Sequence, residues 1–263
     1  MSNKKTSGGF PLIVSAIAIL ICLGIGILVY VFVLGSKSNF DADGHPHNFF
    51  GIMYQGGFIV PILLGTLFTV FCFFFERLIT ISKANGAGQT DKFVAKIKEL
   101  IAAKDLDGAI AACDKQKGSL GNVVREGLVK FQFVQNDNTM DKESKVAAIT
   151  KALEEATALE LPMLSKNLSV ISTCASIGTL VGLIGTVVGM INAFGALAAA
   201  GTPDTAKLAV GISEALVNTL VGILSSALAI MAYNFFSTRV DQITYSMDEA
   251  GFSIIHEFQT SGK

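Results

Sequence analysis

Four long apolar segments alternate with polar segments along this chain and predict its architecture. Each exceeds the roughly 20 residues that an α-helix needs to cross the hydrocarbon core of a bilayer. They lie at about 10–34, 52–75, 168–197 and 208–236. The first follows two lysines, as a signal peptide would, but its apolar run is too long and lacks a small-x-small cleavage site. We therefore interpret it as a retained helix.

The polar segments between these helices predict the topology. The loops at 35–51 and 198–207 carry one lysine each, Lys37 and Lys207, whereas the other 18 of the 20 basic residues lie in the remaining polar segments. Positive charge is retained on the cytoplasmic side. Both termini are therefore expected in the cytoplasm, together with the domain that separates the second and third membrane helices. The cytoplasmic segments are 1–9, 76–167 and 237–263.

The 76–167 segment has a helical pattern broken by polar turns. Thr90 and Asp91 are expected to cap one helix, Asp105 starts a second, and a third covers about 120–134. A fourth runs from Asp141 towards the membrane. Its apolar side is predicted to comprise Val146, Ile149, Leu153, Ala156, Leu159 and Leu164. Pro162 is expected to kink this helix or to mark its end, since proline cannot continue the helical hydrogen bonds.

Composition agrees with a polytopic membrane protein. Apolar residues make up 51% of the chain, charged residues 16%, and the net charge of −1 gives no sign of nucleic-acid binding. The four cysteines lack paired or metal-like spacing, and those in apolar spans are interpreted as small buried hydrophobes. His45 and His47 flank a proline without further ligands, which is typical of surface residues. No catalytic cluster or phosphate-binding loop is present, so neither an enzyme nor a cofactor or metal site is predicted.

Glycines form one face of the third span. Placed on a helix they fall within about 60° of one another, which lets a second membrane helix approach closely. These are Gly178, Gly182, Gly185 and Gly189. Thr179 and Thr186 form a second stripe about 90° away. A helix with a packing face and a hydroxyl face suggests the wall of an ion path.

The fourth span is oily on one side and polar on the other. Its polar side includes Glu214, Asn218, Thr219 and Gly222, and it must meet protein or water because uncompensated polar groups are costly in hydrocarbon. Glu214 is either a functional carboxylate or an interfacial residue that reaches the outer surface. The threonine hydroxyls either serve an ion path or bond back to a carbonyl of their own helix. A proton-relaying carboxylate near mid-membrane is missing.

Five motifs together resemble the family of ion-conducting stator subunits ExbB, TolQ and MotA, and ExbB and TolQ most of all. The two longest are Gly-Leu-x-Gly-Thr-Val-x-Gly-Met-x3-Phe at 182–194 and Gly-Ile-x-Glu-Ala-Leu-x2-Thr-x2-Gly at 211–222. The others are Gly-x3-Pro at 57–61 with Glu-Arg at 76–77, Asp-x-Ala-Ile at 107–110, and Ala-Tyr-Asn at 232–234. The chain departs from the family in its extra first span and in Thr179, which stands where proline is common.

The resemblance implies a pentameric ring in the bacterial inner membrane around a dimer of single-span ExbD- or TolR-type partners. The partner's membrane aspartate would face Thr186 and Thr219, and Glu214 matches the family's acidic residue in the last span. From the polar faces of their helices, Thr179 and Asn218 are also expected on the ion path. Glu76 and Arg77 would anchor their helix at the interface. An ExbB-type subunit would use the proton-motive force to energise TonB-dependent transport across the outer membrane. A TolQ-like motor for envelope integrity or constriction, and a non-conducting scaffold, remain open, as does sodium in place of protons.

Overall fold

The computed structural model describes residues 12–42, 44–198 and 205–260, and about 88% of these residues are helical. The predicted N-terminal tail, most of the 198–207 loop and the last three residues lie outside these ranges. The described residues contain no strand; a single bridge joins Phe40 and Pro46. The described residues divide into two compact units, which we call the membrane unit (within 12–76 and 167–235) and the polar unit (77–166 and 236–260).

The described ranges contain four helices that are long and apolar enough to span a membrane, which confirms the predicted number. α1, Leu12–Leu28, continues as a π-helix over Val29–Leu34. α3 is Val60–Ala84, α8 is Leu168–Ala198 and α9 is Thr205–Thr260. A short α2, Phe49–Tyr54, precedes α3 and is separated from it by a turn and by the 3-10 helix Gly57–Ile59. The segment predicted as one span at 52–75 is therefore interrupted near its start.

The polar unit packs four helices and the C-terminal part of α9 around its own apolar core. Its helices are α4, Thr90–Ala102; α5, Leu106–Gln116; α6, Ser119–Gln135; and α7, Lys142–Ser165. Fully buried side chains from each helix fill the core because an amphipathic helix is stable only with its apolar face covered. They include Ile97, Ala109, Leu128, Ile149, Met247 and Ile254.

The ends of these helices test the predicted caps. Asp105 accepts a hydrogen bond from the Gly108 N–H at 2.9 Å, which confirms it as the N-cap of α5. The cap predicted at Thr90 is wrong. The N-cap residue of α4 is Gln89, whose side chain makes no capping bond, and the Thr90 hydroxyl donates to Asn85 instead. Asp91 still lies in the first turn of α4, where its charge favours the helix dipole.

Pro162 marks the end of α7, as the sequence predicts. The helix stops three residues later at Ser165, and Lys166 and Asn167 leave the helical conformation before α8 begins. Asn167 has φ 61°, a left-handed conformation that asparagine tolerates better than most residues. The predicted apolar side of α7 is wrong at one position: Leu159 is 79% exposed, whereas Ile149, Leu153, Ala156 and Leu164 are buried.

The cysteines differ in their surroundings. Cys22, Cys113 and Cys174 are buried, but Cys72 is exposed, so its interpretation as a buried hydrophobe is wrong. In the polar unit, burial raises the pKa of the Cys113 thiol to about 12. The thiolate is the reactive form of cysteine, so very little of Cys113 is reactive at neutral pH.

We expect Cys113 to resist a maleimide in the folded protein at pH 7.5 and to react within minutes in denaturant. Site-resolved mass spectrometry of the Cys113 peptide measures both rates, with the denatured sample as the control. Rapid labelling of the folded protein would contradict the burial of this thiol.

Candidate functional site

α8 and α9 approach each other in the membrane unit at positions that have no side chain. A Cβ placed on Gly222 of α9 would lie 2.6 Å from the carbonyl oxygen of Gly178 and 2.9 Å from the Cα of Gly182. One on Gly189 would lie 2.7 Å from the backbone nitrogen of Ala215. The glycine stripe of α8 thus lies against the backbone of α9. Such contacts hold membrane helices by packing, where lipid gives no hydrophobic driving force.

Gly185 makes a different contact from its neighbours in the stripe. The side chain of Asn218 lies over it: a Cβ on Gly185 would be 2.7 Å from Asn218 Cγ and 2.9 Å from Nδ2. Asn218 is 0% exposed, and its amide nitrogen and oxygen have no hydrogen-bond partner among the described residues. This glycine therefore accommodates an amide group between the helices. An unpartnered buried amide is costly, which marks the position as more than a packing contact.

Thr186 of α8 and Thr219 of α9 join their hydroxyls in a hydrogen bond across the helix contact. Each hydroxyl also lies 3.2 Å from a carbonyl oxygen of its own helix, Thr186 from Gly182 and Thr219 from Ala215. Each hydroxyl has one proton, so one donates to the other and the acceptor bonds back to its own carbonyl. The pair has two such arrangements, which differ only in the direction of the bonds. The back-bonding weighed from the sequence is therefore present beside a hydroxyl bond between the helices, and a role in an ion path stays a prediction.

Thr179 lies in a second polar contact between the two helices. Its hydroxyl donates to Ser226 Oγ at 2.8 Å, and Ser226 in turn donates to the carbonyl of Ala175 at 2.6 Å. This arrangement uses both hydroxyl protons in bonds that connect α8 to α9. The residue that stands where the family often has proline thus links the two helices through a side chain.

Glu214 lies one helical turn from Asn218, over the start of α3. Its Oε1 is 2.5 Å from the position that a Cβ on Gly57 would take, and Gly57 has φ 73°. Only glycine fits both this backbone conformation and this contact. The Gly-x3-Pro motif at 57–61 and the acidic motif of α9 therefore meet in space, which sequence spacing alone could not show.

The two sides of α9 have opposite surroundings. Most residues of the polar side are buried within the membrane unit, whereas apolar residues on the other side are exposed. The buried residues are Asn218, Gly222, Ser225, Ser226 and Ala229, and the exposed ones include Leu216, Leu220, Ile223, Leu224 and Met231. An exposed apolar face is suited to lipid, whereas the polar face meets α8, as its cost in hydrocarbon requires.

α8 has an exposed hydroxyl stripe that the sequence analysis did not single out. Ser172, Ser176 and Thr179 are exposed and fall within about 60° of one another on the helix. The spacing of these hydroxyl residues, four and three positions apart, could have indicated the stripe in the sequence. The neighbouring glycines form the more conspicuous pattern. Hydroxyls at a membrane helix surface indicate contact with other protein or with water.

Glu76 and Arg77 have different surroundings despite their adjacency. In the membrane unit, Glu76 Oε2 accepts a hydrogen bond from Asn167 at 3.3 Å, and Asn167 accepts one from Ser15 at 3.2 Å. In the polar unit, Arg77 is 0% exposed and donates to the carbonyl oxygens of Met163 and Leu164 at 3.2 and 3.3 Å. Carbonyls in the last turn of a helix lack partners within the helix, and a buried guanidinium satisfies them here.

Several residues that could bind a metal stay apart. Among the described residues, no three His, Cys, Asp or Glu side chains are grouped as metal ligands. The polar groups that α8 and α9 bring to the site are hydroxyls, one amide and one carboxylate. Such groups exchange and orient protons or coordinate small cations through oxygen.

Comparison of the sequence with known proteins identifies the same family that the motifs resemble. The model of the MotA/TolQ/ExbB proton channel family matches residues 116–249, which is half of the chain. A Tol-Pal system protein TolQ from Pseudomonas aeruginosa is 30% identical over 137 residues, and one from Haemophilus influenzae is 34% identical over 134 residues. A biopolymer transport protein ExbB from Pseudomonas putida is 29% identical over 177 residues.

These matches cover part of each protein. The two TolQ matches include 51% of this chain, and 59% and 57% of the respective relatives. The ExbB match includes 62% of this chain and 53% of the relative. The chain thus covers between half and three fifths of the length of these relatives.

Proposed function

Since this chain belongs to the MotA/TolQ/ExbB proton channel family, we propose that it is the channel subunit of a proton-driven motor in the bacterial inner membrane. Both termini and the polar unit would lie in the cytoplasm. Thr186, Thr219 and Glu214 would line the proton route, with Asn218 and Thr179 beside it.

The hydroxyl pair of Thr186 and Thr219 carries this proposal. Because the pair can reverse the direction of its hydrogen bonds, it can accept a proton on one side and release one on the other. A hydroxyl pair cannot store a proton, however, since neutral threonine does not titrate near neutral pH. The carboxylate of this chain on the route, Glu214, lies within the first three turns of α9, so a titratable group nearer mid-membrane would come from a second protein. A dimer of single-span ExbD- or TolR-type partners with a membrane aspartate would supply it.

The exposed hydroxyl stripe of α8 supports an assembled form. Lipid offers no hydrogen bonds to the hydroxyls of this stripe, which are those of Ser172, Ser176 and Thr179. A neighbouring protein surface or a water-filled path is therefore expected to cover them. A ring of five copies around the partner dimer would place this stripe towards the centre. The exposed apolar residues of the first span, such as Ile13, Leu20 and Phe32, would then face lipid.

We favour an ExbB-type role, in which the motor energises TonB-dependent transport across the outer membrane. A TolQ-type role in envelope integrity is the second candidate, and the 30% and 34% identity to TolQ relatives is as compatible with it as the 29% identity to an ExbB relative is with the first. Deletion of the gene in its host distinguishes the two. Loss of iron-chelate uptake with an intact envelope would support the first, and sensitivity to detergents with normal uptake would support the second.

Native mass spectrometry of the complex, purified from its own host, tests the motor itself. We expect five copies of this chain with two copies of a smaller single-span protein that has an aspartate in its membrane segment. Proton flux through vesicles that contain this complex is the matching activity assay. Rings without such a partner, or complexes that do not conduct, would contradict the proposal and favour a scaffold.

A further inference from the structure

We propose that Tyr30, on the first membrane helix, is a positioning residue for the carboxylate of Glu214. This inference rests on the proposed role of Glu214 in proton transfer and assigns a task to the extra span. The tyrosine would act through the turn between α2 and α3, which lies between it and the carboxylate. Three sets of contacts within the membrane unit carry the argument.

The first set concerns the surface on which Glu214 lies. Its carboxylate lies on Gly57, where a Cβ would be 2.5 Å from Oε1 and 3.3 Å from Cδ. The neighbouring Gly56 accommodates Val217, with a Cβ position 2.8 Å from Val217 Cγ1. Two successive residues of this turn therefore determine where the first part of α9, including Glu214, can lie.

The second set fixes that turn to the first span. The Tyr30 hydroxyl donates to the backbone carbonyl of Tyr54 at 3.1 Å, three residues before Gly57. The two rings stack with centroids 4.7 Å apart and an interplanar angle of 17°, and Phe40 packs edge-on against Tyr54. One tyrosine of the first span thus holds the end of α2, three residues before the glycine on which the carboxylate lies.

The third set is apolar and shows that the same elements share one core. The π-helical end of the first span, the start of α3 and the part of α9 after Glu214 contribute to one buried cluster. Its members are Leu34, Ile59, Val60, Leu63, Leu64, Val217 and Val221, with Tyr30 and Met53 packed against them. A shift of the first span would therefore move the turn and the carboxylate together.

The loop that follows the first span is itself held in place. Asn39 is buried and donates to the carbonyl oxygens of Val33 and Leu34 at 2.7 and 2.9 Å. Asn48 donates to Asn39 Oδ1 at 2.9 Å and caps α2 by accepting from the Gly51 N–H at 2.9 Å. These bonds satisfy the last carbonyls of the span and order the path to α2. The position of Tyr54 is therefore determined both by its contacts with Tyr30 and by the ordered loop that leads into α2.

Tyr30→Phe tests the inference, since it removes the hydroxyl and keeps the ring that stacks on Tyr54. The readout is the rate at which a hydrophobic carbodiimide labels the Glu214 carboxyl in the purified complex, measured by mass spectrometry of the peptide. We expect Tyr30→Phe to raise this rate about fivefold, the factor expected for the loss of one hydrogen bond between uncharged groups. Labelling of Glu76 in the same sample should not change.

Tyr245→Phe is the matched control, because Tyr245 is exposed in the polar unit and should alter neither rate. An unchanged Glu214 rate in Tyr30→Phe would overturn the inference. So would an equal increase at Glu214 and Glu76, because it would indicate general loosening. Proton flux of the unmodified complex is measured separately. If that complex does not conduct while the Glu214 rate responds to Tyr30→Phe, the motor function fails and the positioning role stands.

Discussion

Thr219→Val is expected to lower proton flux by at least tenfold and up to about a hundredfold, while the complex still assembles. Valine keeps the shape of threonine but removes the hydroxyl that bonds to Thr186. A hydrogen bond to a charged species is worth about 1.5–3 kcal/mol, which sets this range for a proton that passes the pair. Flux through vesicles and the yield of intact complex are the two measurements.

Thr69→Val is the matched control for this substitution. Thr69 lies in α3, is buried, and bonds back to the Gly65 carbonyl at 2.8 Å, but no other side-chain hydroxyl is bonded to it among the described residues. The Thr69→Val variant should conduct protons as the unmodified protein does. If Thr219→Val conducts normally, or if it fails to assemble, the hydroxyl pair serves helix packing and the channel proposal loses its main support.

Gly222→Ala is expected to destabilise the membrane unit by about 1–3 kcal/mol, the usual cost of overpacking a close contact. The added methyl group would meet the Gly178 carbonyl at 2.6 Å and the Gly182 Cα at 2.9 Å, and both are backbone atoms that cannot change rotamer. Loss of helical circular dichroism on heating in detergent measures the effect. We expect an earlier transition and a lower yield of intact complex.

Gly195→Ala in α8 provides the comparison, since nothing lies within 4 Å of the methyl group it would add. This variant should be neutral or slightly more stable, because alanine favours helix over glycine by about 1 kcal/mol. Equal stability of the Gly222 and Gly195 variants would mean that α8 and α9 do not approach as closely as the structure shows.

Much of the fold could be predicted because apolar periodicity and length determine where membrane helices lie. The four spans and the helices of the polar unit follow from this signal, and the cap at Asp105 follows from its chemistry. Exposure was harder to predict, as Leu159 shows. An apolar residue at helical spacing can face outward when no neighbouring helix reaches its part of the surface.

The site was predictable as a set of residues but not as a set of contacts. The glycine and threonine spacing indicated a packed helix with a polar face, yet it could not show that Thr186 meets Thr219 or that Glu214 lies on Gly57. Such pairings depend on the register between helices that are distant in sequence. A glycine that accommodates an amide, as Gly185 does for Asn218, has the same sequence signal as one that lets backbones approach.

The glycine contacts between α8 and α9 have a mechanical consequence. Where backbone meets backbone at Gly178, Gly182 and Gly222, no side chain can change rotamer to allow one helix to slide past the other. These parts of the two helices are therefore expected to move as one rigid body in any conformational change of the membrane unit. If the proposed motor turns, the movement would then occur at the outer surfaces of the α8–α9 pair, and the contacts at those surfaces, rather than flexibility within the pair, would limit its speed.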